Sequence, residues 1–179
     1  MTAEVSLLWR EFGLVLQNPA YHTFINFATM PNASADRGYK MAKANVKGMG
    51  TRAQPWTLKT PPGSSEFQAY RDEAVNPPAL VVTVGTTELR YHLRGVTDLQ
   101  AMLEKHGDWI ELGSADEQKP AKEGTVEAWG RSPKNPVGGW YGLKKGLRGR
   151  FGMYVPPVME ALGLAEVEHN PKNNRMRAL

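Results

Sequence analysis

The chain has 179 residues, enough for one domain of ordinary size with a buried core. Hydrophobic residues make up 41% of the sequence and charged residues 22%, values that are typical of a globular protein and argue against wholesale disorder. Cysteine is absent, which excludes disulfide bonds, thiolate zinc sites and a cysteine nucleophile and fits a cytoplasmic location.

The net charge of +4 is distributed unevenly along the chain. Residues 1–50 carry five Lys or Arg against three Asp or Glu, residues 51–130 carry eight against twelve, and residues 131–179 carry nine against three. Two explanations of this pattern are open. Either the basic C-terminal third binds a polyanion, or it packs against the acidic middle of the same chain.

The first third of the sequence has weaker secondary-structure patterns than the rest. Residues 4–16 have the apolar spacing of an amphipathic helix, a run much shorter than the roughly 20 apolar residues that span a membrane. Prolines and glycines interrupt residues 18–54, as is typical of a linker. We therefore predict an N-terminal extension over residues 1–48, made of this helix and a linker, and a single compact domain over residues 49–179. Neither a secretory signal nor membrane association is expected.

The predicted domain begins with a short strand, a short helix and a hairpin. Residues 56–60 alternate between apolar and polar side chains, as the residues of a strand do. Ser65 and Gln68 match a capping box, which predicts a helix carrying Phe67 and Tyr70. The hairpin follows in residues 79–94, where a glycine in the first position of a two-residue loop suits a type II′ turn.

A second helix is predicted over residues 97–106, with Thr97 as its N-terminal cap and Gly107 at its end. Residues 109–112 are expected to return as a short strand or an anchored loop. Residues 113–136 are rich in charged residues, glycine and proline. This composition predicts a long surface excursion, that is, an exposed loop, which contains one short amphipathic segment.

The last elements are a short helix over residues 156–162, which begins with two prolines, and a terminal hairpin over residues 164–179. A helix followed by a hairpin with a basic turn resembles the end of a winged-helix domain. The predicted fold class is therefore α+β, with a small antiparallel sheet, packed helices and a C-terminal winged-helix-like helix plus hairpin.

The most distinctive stretch is residues 138–154, which contain six glycines, four cations, four aromatic residues and no acid. The stretch matches neither the dinucleotide-binding glycine pattern nor the phosphate-binding loop pattern, so it is not a nucleotide loop. Two interpretations remain. The cations and aromatic rings form a phosphate or nucleic-acid surface, or the glycines make turns while the aromatic rings fill the core.

A candidate nucleic-acid site combines this glycine-rich segment with the terminal hairpin. In a winged-helix domain the hairpin cations reach phosphates. Alternatively, the hairpin arginines pair across the strands with Glu166 and Glu168. The candidate residues are Lys144, Lys145, Arg148, Arg150, Lys172, Arg175, Arg177, Trp140 and Tyr141.

No catalytic residue, metal site or cofactor is predicted. The four histidines are isolated in the sequence, and no serine stands in a nucleophile elbow. Glu66, Asp72 and Glu73, followed by Glu88 and Arg90, have a faint likeness to a metal-dependent nuclease core. The lysine that such a core uses is an arginine here, and arginine cannot lose its proton.

Several short motifs resemble a family of small bacterial proteins of unknown function. They are Pro55-Trp-Thr-Leu-Lys-Thr-Pro-Pro-Gly63, Tyr70-Arg-Asp-Glu73, Gly107-Asp-Trp109, Ala128-Trp-Gly-Arg131, Gly138-Gly-Trp-Tyr-Gly142 and Asn173-Asn-Arg-Met-Arg177. The resemblance spans residues 50–179, implies that this part is a compact unit and implies no activity.

The leading hypothesis is a non-enzymatic nucleic-acid-binding or regulatory protein, which uses its basic C-terminal third to bind DNA or RNA. The first alternative is a protein-interaction module that docks an acidic partner or forms a homo-oligomer. The second alternative is a metal-dependent nuclease.

Overall fold

Two antiparallel sheets and three helices make up the computed structural model, which describes residues 46–179. The first sheet has the order β1 (Trp56–Lys59), β2 (Glu66–Asp72), β3 (Ala79–Val84) and β4 (Thr87–His92). In the second sheet, β7 (Arg175–Ala178) lies between β5 (Ile110–Glu111) and β6 (Ala165–Val167). The helices are α1 (Gly95–His106), α2 (Val126–Trp129) and α3 (Phe151–Ala161). The α+β class is confirmed, whereas the helix predicted over residues 4–16 lies outside the described residues.

The predicted β3–β4 hairpin is confirmed, and it forms one half of the first sheet. Val84 pairs with Thr87 across the turn, and Gly85 has the positive φ of 57° that the glycine was expected to supply. Leu89 and Tyr91 are buried on one face of β4, as the alternation of the strand predicted.

The predicted capping-box helix at residues 65–70 is wrong, because this segment is strand β2. Its Phe67 pairs with Leu58 of β1, and its Ala69 pairs with Val82 of β3. Ser65 does not cap a helix, since its carbonyl accepts a hydrogen bond of 2.9 Å from the Thr60 amide and closes the β1–β2 turn. Pairing on both sides outweighs the weak local helix signal.

Helix α1 begins two residues earlier than predicted, at Gly95. The Thr97 hydroxyl is not the cap, because it donates a hydrogen bond of 3.0 Å to the Arg94 carbonyl. The C-terminal prediction is confirmed: Gly107 has a φ of 73°, and its amide bonds the Leu103 carbonyl.

Helix α3 starts inside the glycine-rich segment, five residues before the predicted start at Pro156. Both prolines therefore lie in the helix interior, where each removes one backbone donor. The helix tolerates this loss because most of its residues, including Phe151, Tyr154 and Val158, are buried in the core.

The predicted terminal hairpin is confirmed as β6 and β7, and a third strand extends it. Ile110 of β5 pairs with Met176, which confirms the strand alternative for residues 109–112. The likeness to a winged helix stays a prediction.

The predicted surface excursion over residues 113–136 is wrong in its second half, because residues 125–127 and Asn135 are buried. Asn135 is buried with its polar groups bonded: its side-chain amide donates to the carbonyls of Trp129 and Gly139 at 2.8 and 2.7 Å. Polar composition suggested exposure, but burial is tolerated where partners satisfy each polar group.

One hydrophobic core connects both sheets and all three helices. At its centre, the Tyr141 ring stacks on Phe151 at 5.1 Å between centroids and on Trp129 at 5.2 Å. Within residues 46–179, no helix has both the length and the apolar character required to cross a membrane.

Candidate binding site

The glycine-rich segment packs on an acidic loop formed by residues 115–117. The Arg148 guanidinium donates to Glu117 Oε1 at 2.9 and 2.6 Å, and its backbone amide donates to Oε2 at 2.9 Å. Arg150 Nε donates to Asp116 Oδ1 at 2.6 Å. Hydrogen bonding to these arginines lowers the pKa values of both carboxyl groups. Part of the basic C-terminal third therefore packs against the acidic middle of the chain.

Backbone contact between the two segments depends on Gly149. A Cβ at this position would lie 2.5 Å from the Glu117 nitrogen and 2.6 Å from the Ala115 oxygen. The next amide, that of Arg150, donates a hydrogen bond of 2.9 Å to the same Ala115 carbonyl. Glycine is required here for close packing of two chain segments, as the structural interpretation of the segment holds.

A buried ion pair lies behind this loop. Glu127 is 0% exposed, and its Oε1 accepts hydrogen bonds of 2.8 and 2.5 Å from Arg131. Burial raises the pKa of Glu127, although hydrogen bonds from the Gly152 amide and Arg131 act in the opposite direction. Arg131 also donates to the carbonyls of Ala115 and Lys119 and so holds the acidic loop in place.

The two aromatic candidates differ in accessibility. Tyr141 is 0% exposed, and its hydroxyl donates a hydrogen bond of 2.7 Å to Asp98, so its ring is not available to stack on a base. Burial raises the pKa of Tyr141, and the Asp98 carboxylate adds to the effect. Trp140 is half-buried, and its ring already contacts the guanidinium groups of Arg131 and Arg148 at 4.6 and 4.7 Å.

The lysine candidates differ from the arginines in their ionic partners within the part of the chain that the structure describes. Lys144 and Lys145 lie exposed in the turn before Gly146, and Lys172 lies exposed in the β6–β7 turn. No carboxylate within residues 46–179 forms an ion pair with any of these three ammonium groups.

The hairpin arginines form the cross-strand pairs that the sequence offered as an alternative to phosphate binding. Arg175 pairs with Glu168 at 2.6 Å, and Arg177 pairs with Glu166 at 2.7 Å. Hydrogen bonding to Arg175 lowers the pKa of Glu168. Both guanidinium groups also lie over the Trp109 ring, at 5.4 and 4.7 Å from its centroid.

We call these five residues, Trp109, Glu166, Glu168, Arg175 and Arg177, the Trp109 face. Sequence reasoning did not place Trp109 in the site, because it joins the arginines only through the pairing of β5 with β7. The other four residues, Glu166, Glu168, Arg175 and Arg177, were indicated by the alternating charges of the terminal hairpin in the sequence.

The acids of the nuclease hypothesis do not form a metal-binding cluster. Arg90 bonds Glu88 at 2.8 Å and lies 3.8 Å from Asp72. In the described part of the chain, no group of three or more His, Asp or Glu side chains is arranged to hold a metal ion.

Comparison with known proteins identifies a family. The family model of DUF6855, a family of unknown function, matches residues 48–179. The chain belongs to the DUF6855 family. The resemblance expected from the short motifs of residues 50–179 is thereby confirmed, and DUF6855 membership carries no activity with it. Neither a curated protein nor a solved structure matches the chain.

Proposed function

We propose that this DUF6855 domain is a non-enzymatic, cytoplasmic protein-interaction module that binds through the Trp109 face. The observation that carries the proposal is the position of Trp109 under two exposed arginines, each of which is opposite a carboxylate. Tryptophan and arginine are the residues most often found at the energetic centres of protein interfaces.

The charges of this face favour a protein partner over a polyanion. Two arginines alternate with two glutamates, and the adjacent Glu111 pairs with Lys122 at 2.5 Å. A phosphate backbone gains affinity from uncompensated cations, which this face does not offer. A protein surface can match both signs of charge, and the match would set the orientation of the complex.

The partner that fits best is a second copy of this chain. Strand β6 presents Glu166 and β7 presents Arg177, so acids and bases form neighbouring rows. A two-fold axis between the two rows would place the acidic row of one copy against the basic row of the other, with each Trp109 ring beneath the basic row of its own copy.

The test is sedimentation velocity of the full chain over a concentration series. We expect a dimer, and Trp109→Ala should weaken dimerisation by a factor of about 30, the effect of losing about 2 kcal/mol at an interface centre. Lys134→Ala, a change at an exposed residue that is not one of the five residues of the face, serves as the control and should leave the dimer unchanged.

A charge exchange adds a second arm to this test. Arg177→Glu alone should weaken the dimer, and adding Glu166→Arg should restore it, because the exchange regenerates the opposite charges of the 166–177 pair. A wild-type chain that stays monomeric at all concentrations would overturn the self-association proposal.

Nucleic-acid binding is the second candidate, and Lys144 and Lys145 favour it. Their ammonium groups are exposed and are not neutralised by a carboxylate within residues 46–179. The test is retardation of a mixed DNA and RNA probe at about 50 mM salt. If the candidate holds, the double Lys→Ala variant should reduce the slope of log affinity against log salt by about 2, while Lys134→Ala should not. Wild-type protein that leaves every probe unshifted would exclude this function.

A further inference from the structure

The terminal hairpin has a tip, residues 168–175, that contains part of the Trp109 face. Glu168 and Arg175 close this hairpin tip: the Glu168 amide donates a hydrogen bond of 2.9 Å to the Arg175 carbonyl, and the Arg175 guanidinium donates to Glu168 Oε1 at 2.6 Å. Between them, residues 169–173 are exposed. The positions of two residues of the face therefore depend on how this exposed segment is held.

The ring of His169 connects the exposed segment to two other elements. Its Nδ1 lies 3.0 Å from the carbonyl oxygen of Pro61, in the turn between β1 and β2, and its Nε2 lies 3.0 Å from both carboxylate oxygens of Glu160 in α3. Within residues 46–179, no other group of residues 169–173 makes a hydrogen bond or an ion pair to another element. His169 thus attaches the hairpin tip to the rest of the domain.

These two contacts require the charged form of the ring. A carbonyl and an ionised carboxylate both accept hydrogen bonds, and a neutral imidazole has only one N–H to donate. The imidazolium has two N–H groups and can donate to both acceptors. In the neutral ring, the lone pair of one nitrogen would face an oxygen at 3.0 Å, which is a repulsive contact. The geometry therefore makes the attachment of the tip depend on one proton.

One of the charged groups around the ring bonds it directly. Glu160 is the only carboxylate of residues 46–179 that pairs with His169. Lys47, Lys59 and Glu66 line the same cavity of about 590 Å³ as the ring, and none of the three forms an ion pair within residues 46–179. Burial lowers the pKa of His169, but its two hydrogen bonds raise the pKa by more, so the ring stays charged to a higher pH than a free histidine does.

We propose that His169 is a pH switch, which holds the hairpin tip in the conformation that the Trp109 face needs for dimerisation. This inference rests on the proposed function, because it concerns the regulation of the same face.

The switch acts through the population of attached tips. Below about pH 6.5 the ring is charged and the tip is attached. As the pH rises through the folded pKa of His169, the ring loses its proton and one of its two hydrogen bonds, and the tip detaches in a fraction of the molecules. Only molecules with an attached tip present Glu168 and Arg175 in place, so the apparent affinity of the dimer falls.

The experiment is sedimentation velocity of the full chain at about pH 5.5 and about pH 8.5, on either side of the histidine range, at constant ionic strength. The dissociation constant of the wild-type dimer should be about fourfold higher at the upper pH, the effect of detaching the tip in about half of the copies. His169→Gln has no titrating group at this position. It should show the same affinity at both pH values and bind no more tightly than the wild type does at the upper pH.

The matched controls are His22→Gln, His92→Gln and His106→Gln, which remove the other three histidines one at a time. Each should keep the pH dependence of the wild type. A wild-type dimer with the same dissociation constant at both pH values would overturn the switch and leave the dimer itself established. Loss of the pH dependence in one of the controls would overturn its assignment to His169.

Amide hydrogen exchange tests the switch independently of the dimer. The protection factor of the Glu168 amide corrects for the intrinsic pH dependence of exchange, and it should fall at least about threefold between the two pH values. In His169→Gln it should stay constant. A chain that is monomeric at every concentration overturns the self-association proposal, and an unchanged Glu168 protection factor in the wild type overturns the switch.

Discussion

Glu127 Oε2 accepts a hydrogen bond of 2.7 Å from the backbone amide of Gly152, in the first turn of α3. The residue at the N-cap, Arg150, offers no side-chain cap, so a carboxylate from another helix takes that role. The same carboxylate pairs with Arg131, which holds the acidic loop. One buried acid thus connects the start of α3 to the acidic loop of residues 115–117.

We expect Glu127→Ala to lower the free energy of unfolding by about 3–5 kcal/mol, because it leaves the Arg131 charge unpaired and the α3 amide without an acceptor. Glu127→Gln keeps one acceptor oxygen and should lose less. Urea denaturation followed by circular dichroism measures both, with Glu123→Ala as an exposed control in the same region. Equal urea midpoints for Glu127→Ala and Glu123→Ala would contradict the role of the pair.

Gly152 is a close-packing position, because a Cβ there would lie 2.3 Å from the Gly113 oxygen and 2.4 Å from the Leu112 oxygen. Gly152→Ala should therefore destabilise the domain by at least about 2 kcal/mol. At Gly139 a Cβ would meet nothing within 4 Å, and Gly139→Ala is the matched control. Thermal unfolding of the two variants should separate them clearly, and similar midpoints would show that the backbone can move apart at Gly152.

The conformation of Arg150 predicts a difference between two substitutions. Both Arg150→Ala and Arg150→Gly remove the Asp116 pair, but only glycine relieves the left-handed backbone. The glycine variant should be more stable than the alanine variant by about 1 kcal/mol in chemical denaturation. If alanine proves as stable as glycine, the φ of 63° carries no cost.

Stability should depend on pH through His169. Burial lowers the pKa of His169, but hydrogen bonds to Glu160 at 3.0 Å and to the Pro61 carbonyl at 3.0 Å raise it by more, so the pKa lies above its usual value. A raised folded pKa means that the stabilisation is complete below the unfolded pKa, about 6.5, and is lost as pH rises through the folded pKa.

His169→Gln should therefore be less stable than the wild type at low pH, and the gap should close as pH increases above about 6.5. The side chain is 52% exposed, so the gap should stay below about 1 kcal/mol. Denaturant titrations at a series of pH values measure it, with the exposed His106→Gln as the control. A gap that widens with pH would contradict the charged pairing.

Local patterns in the sequence predicted several elements correctly. The β3–β4 hairpin, the end of α1 at Gly107 and the terminal hairpin depend on contacts between near neighbours or on a glycine conformation, both of which the sequence displays directly. The charge blocks likewise offered two explanations, one of which is seen in the Arg148–Glu117 pair.

Tertiary contacts decided the rest. Residues 66–72 form a strand because β1 and β3 flank them, and Trp109 meets Arg177 because β5 pairs with β7, a strand far away in the sequence. The sequence by itself determined the fold class, the hairpins and the list of candidate cations. Only the tertiary structure decided that the arginines pair with carboxylates of residues 46–179 and that the three lysines do not, because an ion pair depends on distance in space.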